Sequence, residues 1–127
     1  MSPRSEPVFV GRPLSLADLE DVAARGREVA FDPEARARVV RSRAAIDVIT
    51  SGGDAAPRVY GVNTGFGALS ETRISSADVR QLQLNLVRSH ATGVGIDLPV
   101  PEVRGMMLLR AQVLALGCSG SGGGPPR

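Results

Sequence analysis

The sequence predicts a mainly α-helical fold, in which short extended segments and one glycine-rich loop connect the helices. Apolar residues recur at intervals of three and four over most of the chain, which is the spacing of one face of an α-helix. Residue types that cap or end helices stand at the boundaries of these periodic stretches. At 127 residues the chain is long enough for one domain with a modest core.

The first predicted helix lies between two short extended segments, residues 8–10 and 28–31. Ser15 and Asp18 form a capping-box pattern at its start, with Asp in place of the usual Glu. Gly26 is the predicted stop, because glycine readily adopts the left-handed conformation at the C-terminus of a helix.

The second predicted helix follows Asp32 and Pro33 and runs to about Thr50. Asp accepts hydrogen bonds from the first turn of a helix, and proline suits its first position. The residues predicted to face inward share helical spacing. They are Ala35, Val39, Ser42, Ile46 and Ile49.

A glycine-rich loop, Tyr60-Gly-Val-Asn-Thr-Gly-Phe-Gly67, carries the only tyrosine of the chain. Glycines at this density predict a loop of defined shape, whose backbone a ligand or another part of the chain approaches closely. A tyrosine can act as a base when its surroundings stabilise the ionised form of the phenol. The residues alone leave two interpretations open, a catalytic loop or a turn whose tyrosine packs on the core.

The third predicted helix starts at a cap within residues 75–78 and ends near His90, the only histidine. His90 shares a stripe with Val79, Leu82 and Leu86, so it is predicted to lie on an apolar face. A histidine in that place is either a hydrogen-bonded core residue or a functional one.

The last predicted helix runs from Pro99 to about Leu116 and is apolar on nearly every face. That pattern is typical of a helix in the middle of a large bundle. Arg110 lies within it, and a buried guanidinium requires a carboxylate or carbonyl partner. We expect that partner to be missing from this chain.

Composition excludes several classes of function. The net charge is only +2, the arginines are interspersed with acids, and three Phe and one Tyr provide few stacking platforms, so no nucleic-acid partner is expected. A single cysteine and a single histidine leave no zinc site. No apolar stretch is long enough to cross a bilayer and residues 1–7 lack a signal-peptide core, so we expect a cytoplasmic protein without a membrane partner.

The chain divides by composition into three parts. Residues 1–7 are predicted to be a flexible N-terminus, residues 8–120 to form the folded segment, and residues 121–127 to be a Gly/Pro-rich disordered tail. Because the tail follows directly after the most apolar helix, we expect the chain to be truncated.

Several blocks of sequence together resemble the N-terminal part of the histidine ammonia-lyases and their aromatic amino acid lyase relatives. The blocks are the Tyr60 loop, Leu84-Asn-Leu-Val-Arg-Ser-His-Ala91 with Gly93-Val-Gly95, Leu108-Leu-Arg-Ala111 and Gly117-Cys-Ser-Gly120. The resemblance covers about residues 8–120. It implies the N-terminal helical part of an ammonia-lyase-type bundle, from a homotetramer that acts on a small amino-acid substrate.

In that family a methylidene-imidazolone forms from an internal Ala-Ser-Gly and turns the amino group of the substrate into a leaving group. The resemblance implies that Tyr60 removes the β-proton, that Gly67 lets the substrate approach the backbone, and that His90 lies beside the substrate side chain. No Ala-Ser-Gly occurs in the 127 residues. We therefore expect no cofactor in this chain and no activity from the chain alone.

Three functions remain open. The first is an N-terminal segment of a histidine ammonia-lyase, whose parent reaction eliminates ammonia from L-histidine to give urocanate; Ser89-His90-Ala91 is most similar to that branch. The second is a segment of a tyrosine or phenylalanine ammonia-lyase or aminomutase, which shares every motif quoted. The third is a non-catalytic helical interaction module that binds a full-length lyase through the apolar residues 103–116.

Overall fold

The computed structural model describes residues 6–118, and it confirms the mainly α-helical fold class. The predicted flexible N-terminus and Gly/Pro-rich tail lie outside the described residues, apart from Glu6 and Pro7. The elements are β1 (Val8–Val10), α1 (Leu16–Arg25), β2 (Val29–Phe31), α2 (Pro33–Ser51), α3 (Val79–His90) and α4 (Val100–Ala115), with short 3-10 turns at Gly53–Ala55 and Gly67–Leu69.

The described residues form two compact units. The first contains the residues up to Ala44 and those from Asp97 onward, and the second contains residues 45–96. In the first unit β1 and β2 pair in parallel, with Val8 opposite Val29, and α1 is the crossover between them. Both extended segments were predicted, but their pairing was not.

The predicted capping box at the start of α1 is confirmed. The Ser15 hydroxyl accepts a hydrogen bond from the Asp18 backbone at 3.1 Å, and the Asp18 carboxylate accepts one from the Ser15 backbone at 3.2 Å. The Ser15 hydroxyl also donates to Asp18, and this contact lowers the pKa of the Asp18 carboxyl below its ordinary value. Gly26 ends the helix in the left-handed conformation, as predicted.

The core of the first unit lies where α1, β1 and α4 meet. Its buried members are Val8, Val10, Val22, Leu108 and Ala115. The side chain of Gln112 fixes α4 against the turn after β1, because its oxygen accepts from Gly11 N at 2.8 Å and its nitrogen donates to the Arg12 carbonyl at 2.7 Å. Most of the remaining surface of α4 is exposed and apolar.

Asp32 caps α2, as predicted, by accepting a hydrogen bond of 3.0 Å from the Ala35 backbone. It also accepts a hydrogen bond of 2.5 Å from Arg12 Nε. The residues of α2 that were predicted to face inward are its less exposed ones. Ala35 and Val39 are buried, and Ser42, Ile46 and Ile49 are half-buried. The helix ends one residue later than predicted, at Ser51.

Arg110 and His90 are more exposed than the sequence pattern predicts. Arg110 is exposed to solvent although apolar residues surround it along α4, because nothing in the described residues covers that side of the helix. His90 ends α3 and is also exposed, whereas Val79, Leu82 and Leu86 on the same stripe are half-buried. The apolar stripes exist, but they are only partly covered.

Candidate functional site

The Tyr60 loop lies in the unit formed by residues 45–96. The Tyr60 side chain is on the surface, with 65% of the residue exposed. Its ring meets the edge of Phe66 in a T-shaped contact, with 6.1 Å between the centroids. No hydrogen bond to the Tyr60 hydroxyl occurs within residues 6–118. The ring therefore packs against Phe66 while most of the residue is exposed to solvent.

The side chain of Asn63 closes the loop around Tyr60. Its Oδ1 accepts a hydrogen bond of 2.8 Å from Val59 N, and its Nδ2 donates one of 2.9 Å to the Pro57 carbonyl. Asn63 is only 4% exposed, and its backbone N–H also donates to the Val59 carbonyl at 3.2 Å. The buried Asn63 amide therefore satisfies two backbone groups of the segment that leads into Tyr60, the Val59 N–H and the Pro57 carbonyl.

A short antiparallel bridge holds the far side of the loop. Thr64, which is buried, is paired with Arg73. Gly65 N donates to the Thr72 carbonyl at 3.0 Å, and Ile74 N donates to the Asn63 carbonyl at 3.0 Å. The loop thus has a fixed base on both sides of its exposed tip.

Two positions of the loop favour glycine for different structural reasons. A Cβ on Gly65 would lie 2.6 Å from the Cβ of Leu69, so no side chain fits there. Gly67 has φ +56° with open space around it, and it begins the 3-10 turn Gly67–Leu69. Gly67 is exposed, which leaves its backbone accessible to a ligand.

Arginine side chains bind carbonyl groups around the base of the loop. Arg73 Nη2 donates to the Ala56 carbonyl, and Arg58 Nη1 donates to the Glu71 carbonyl at 2.9 Å. The other terminal nitrogen of Arg73 is buried without a hydrogen-bond partner among the described residues. These contacts connect the residues before Tyr60 to those after Gly67.

One ring nitrogen of His90 contacts its own helix. Its Nδ1 lies 2.8 Å from the Leu86 carbonyl and 3.2 Å from the Ser89 hydroxyl. A carbonyl only accepts, so in the neutral ring Nδ1 carries the proton and Nε2 is an acceptor. His90 is an exposed residue, and its Nε2 can accept a hydrogen bond from a ligand.

The structure brings some of the predicted site residues together. Tyr60 and Gly67 belong to one closed loop, whereas no hydrogen bond or ring contact joins His90 to Tyr60 in the described part of the chain. Asn63 was not predicted from the sequence as the residue that holds the loop. The signal was present, because asparagine side chains commonly bond to nearby backbone groups in turns.

Across residues 6–118, no three His, Cys, Asp or Glu side chains are grouped so that they could hold a metal ion. None of the helices described is long and apolar enough to cross a membrane.

Comparison with known proteins gives one consistent result. Residues 14–122 match the family model described as aromatic amino acid lyase. The histidine ammonia-lyase of Sorangium cellulosum (strain So ce56) is 66% identical over 113 residues, which cover 89% of this chain and 22% of that protein. The chain therefore spans about a fifth of the length of the curated relatives it matches.

Solved structures agree with the sequence matches. The tyrosine aminomutase from Streptomyces globisporus superimposes with a TM-score of 0.84 at 31% identity, over 93% of this chain and 22% of that one. The histidine ammonia-lyase from Trypanosoma cruzi superimposes with a TM-score of 0.77 at 37% identity, over 92% of this chain and 22% of that one.

Proposed function

The chain belongs to the aromatic amino acid lyase family, and on that premise we propose that it is the N-terminal segment of a histidine ammonia-lyase. The parent reaction is the elimination of ammonia from L-histidine to give urocanate. The proposal includes a cytoplasmic homotetramer as the working form, as the resemblance to the family implies. The observation that supports it best is the exposed Tyr60, which lies on a loop held in place by the hydrogen bonds of Asn63.

Tyr60 is the proposed base. In its ionised form the phenolate oxygen takes the proton from the β-carbon of the substrate, and the tyrosine leaves the step neutral. A base must hold its position relative to the carbon it deprotonates, since small misplacements slow the transfer strongly. The Asn63 side chain supplies that rigidity by bonding the backbone that leads into Tyr60.

Gly67 and His90 are the proposed substrate-binding residues. Gly67 is exposed and lacks a side chain, so a small amino acid can approach the backbone of the loop. The Nε2 of His90 is an acceptor in the tautomer that the Leu86 carbonyl selects. It is therefore suited to the imidazole N–H of a histidine substrate, which an apolar aromatic side chain does not offer.

The electrophile of the family forms from Ala-Ser-Gly, and that tripeptide is absent from the 127 residues. The chain alone is expected to leave L-histidine unchanged, and urocanate formation by the purified chain would contradict the proposal.

A second candidate is a segment of a tyrosine or phenylalanine ammonia-lyase or aminomutase. The observation in its favour is the TM-score of 0.84 with the tyrosine aminomutase from Streptomyces globisporus. The two candidates differ at the substrate side chain, where His90 is the discriminating residue. Replacing His90 with phenylalanine should reduce turnover of histidine before that of phenylalanine.

A chimera tests both candidates. The matched 113 residues of the Sorangium cellulosum enzyme are replaced with the corresponding residues of this chain, and the product is assayed with histidine, tyrosine and phenylalanine. Urocanate formation by a tetrameric chimera is the expected result. A tetramer that turns over none of the three amino acids would instead favour the non-catalytic interaction module.

A further inference from the structure

Two arginines join the chain before the Tyr60 loop to the chain after it, and they reach across in opposite directions. Arg73, which follows the loop, donates a hydrogen bond from Nη2 to the Ala56 carbonyl, which precedes it. Arg58, which precedes the loop, donates from Nη1 to the Glu71 carbonyl at 2.9 Å. Each contact therefore connects the two ends of the segment that carries Tyr60.

The two contacts differ in their access to water. Arg58 and Glu71 are both exposed, so water can bind the Glu71 carbonyl when the arginine is removed. Ala56 is only 6% exposed, and no other hydrogen bond to its carbonyl occurs within residues 6–118. Loss of the Arg73 side chain should therefore release the chain before the loop, whereas loss of Arg58 should not.

The backbone of Arg73 is itself held in place. Arg73 pairs with Thr64 in the short antiparallel bridge. The carbonyl of the residue before it accepts a hydrogen bond from Gly65 N, and the N–H of the residue after it donates one to the Asn63 carbonyl, each at 3.0 Å. The Arg73 side chain thus extends from a fixed backbone to Ala56 and fixes the two segments relative to each other.

Stability does not explain why this position carries a guanidinium. The Nη1 of Arg73 is buried and has no hydrogen-bond partner among the described residues, and no carboxylate there forms an ion pair with Arg73. A buried positive charge without a carboxylate destabilises the folded state, and an unpaired buried donor adds to that cost. Groups that cost stability in this way are concentrated at functional sites, where another requirement retains them.

We propose that Arg73 is a positioning residue for Tyr60. By holding the Ala56 carbonyl, it keeps the segment that leads into Tyr60 in the place from which the phenolate reaches the β-carbon of the substrate. The inference rests on the proposed function, because the role of Tyr60 as the base is part of it. Arg73 acts through the loop, and it is not assigned a contact with the substrate.

The first test follows the Tyr60 ring in the chain by itself. Tyr60 is the only tyrosine and the chain has no tryptophan, so intrinsic fluorescence reports this one ring. In Arg73→Met, the anisotropy of the fluorescence should decay faster on the nanosecond timescale than in the wild type. Arg58→Met, the matched control, and Arg73→Lys, which retains a donor for the Ala56 carbonyl, should decay as the wild type does. Circular dichroism confirms that each variant is folded.

The second test measures proton removal in the chimera with the Sorangium cellulosum enzyme. Arg73→Met should lower kcat for histidine by roughly 10- to 100-fold, because the base is misplaced. KM should change by less than about threefold, since the base acts in the transition state and not in binding. Arg58→Met and Arg73→Lys should each lower kcat by less than about threefold.

An isotope effect distinguishes a misplaced base from a loss of folded enzyme. With histidine deuterated at the β-carbon, Arg73→Met should show a larger isotope effect on kcat than the unsubstituted chimera, because proton removal limits the rate more strongly. A smaller fraction of folded enzyme would lower kcat and leave the isotope effect unchanged. That result, or an anisotropy decay of Arg73→Met equal to that of the wild type, would overturn the proposal.

The remaining outcomes are also decisive. If Arg73→Met does not fold, Arg73→Lys decides, and a loss of kcat of roughly tenfold or more in that variant would overturn the proposal. An inactive chimera together with the expected anisotropy would contradict the proposed activity and leave the hold of Arg73 on the loop intact. An active chimera that keeps its full kcat in Arg73→Met would contradict this inference alone.

Discussion

Asn63 Oδ1 lies 2.8 Å from Val59 N and accepts its hydrogen bond, one residue before Tyr60. The Asn63 Nδ2 donates to the Pro57 carbonyl at 2.9 Å, so a single side chain replaces the neighbouring strand that this segment lacks. Both groups are specific to an amide, because a carboxylate cannot donate and an alkyl group can do neither. The position of Tyr60 therefore depends on a residue that need not touch substrate.

Asn63→Ala should loosen the loop at Val59 more than it disturbs the rest of the unit. The change removes both hydrogen bonds of the Asn63 side chain, to the half-buried Val59 N–H and to the Pro57 carbonyl, which costs about 1 kcal/mol. Hydrogen exchange should show a faster Val59 amide, while the amides within α3 change little. Asn85→Ala is the control, since Asn85 is exposed and its side chain bonds, within the described residues, only to Gln81 on α3. Equal protection of Val59 in both variants would contradict the role given to Asn63.

Tyr60→Phe should separate stability from activity. The ring remains to pack on Phe66, and the hydroxyl has no hydrogen bond within the described residues, so the free energy of unfolding should change by less than about 0.5 kcal/mol. In the active chimera the same change should lower kcat by roughly 10²- to 10⁴-fold, the range for loss of a general base. A chimera that keeps its full kcat after this change would exclude Tyr60 as the base.

Local patterns were sufficient to predict the helices and several of their ends. Ser15, Asp32 and Gly26 act through contacts with residues three or four positions away, so their capping roles are visible in the sequence. The parallel pairing of Val8 with Val29 depends on how α1 folds back, and Gln112 reaches Gly11 across the unit. Such long-range contacts leave no periodic signal in the sequence.

The candidate site was predicted from the Tyr60 loop and its resemblance to the family, and the roles of Tyr60, Gly67 and His90 stay predictions. The sequence could not show which residue supports the loop, because Asn63 acts through two backbone groups that are brought near it only by folding. Burial of Arg110 was predicted from the apolar pattern of α4. It is exposed because burial depends on a covering surface, which a sequence pattern does not supply.

Acid should weaken the first unit through Asp32. The hydrogen bond from the Ala35 backbone, and next the contact with Arg12, lower the pKa of the Asp32 carboxyl below its ordinary value. A lowered pKa in the folded state means that the stabilisation is complete above the unfolded value of about 4 and is lost as the pH falls toward the folded value. The melting temperature of Asp32→Asn should therefore be lower than that of the wild type at pH 7, and the difference should shrink below about pH 4.

Circular dichroism melts at a series of pH values measure this difference. Asp97→Asn is the control, because Asp97 is exposed and makes no hydrogen bond or ion pair in the described part of the chain. Its melting temperature should follow that of the wild type at every pH. A constant difference between the wild type and Asp32→Asn from pH 7 to pH 2 would contradict the linkage.

Truncation of two adjacent leucines of α4 should change the stability of the chain by very different amounts. Leu108 is 4% exposed and belongs to the core with Val8 and Val22, whereas Leu109 is 48% exposed. Leu108→Ala should lower the free energy of unfolding by about 2–5 kcal/mol, because it removes buried methyl groups and leaves a cavity. Leu109→Ala should change it by less than about 0.5 kcal/mol.

Urea unfolding followed by circular dichroism measures both free energies. The two substitutions are chemically identical and one position apart on the same helix, so a difference between them reports burial and not helix propensity. If Leu109→Ala destabilised the isolated chain as much as Leu108→Ala, the difference in burial between the two positions would be contradicted.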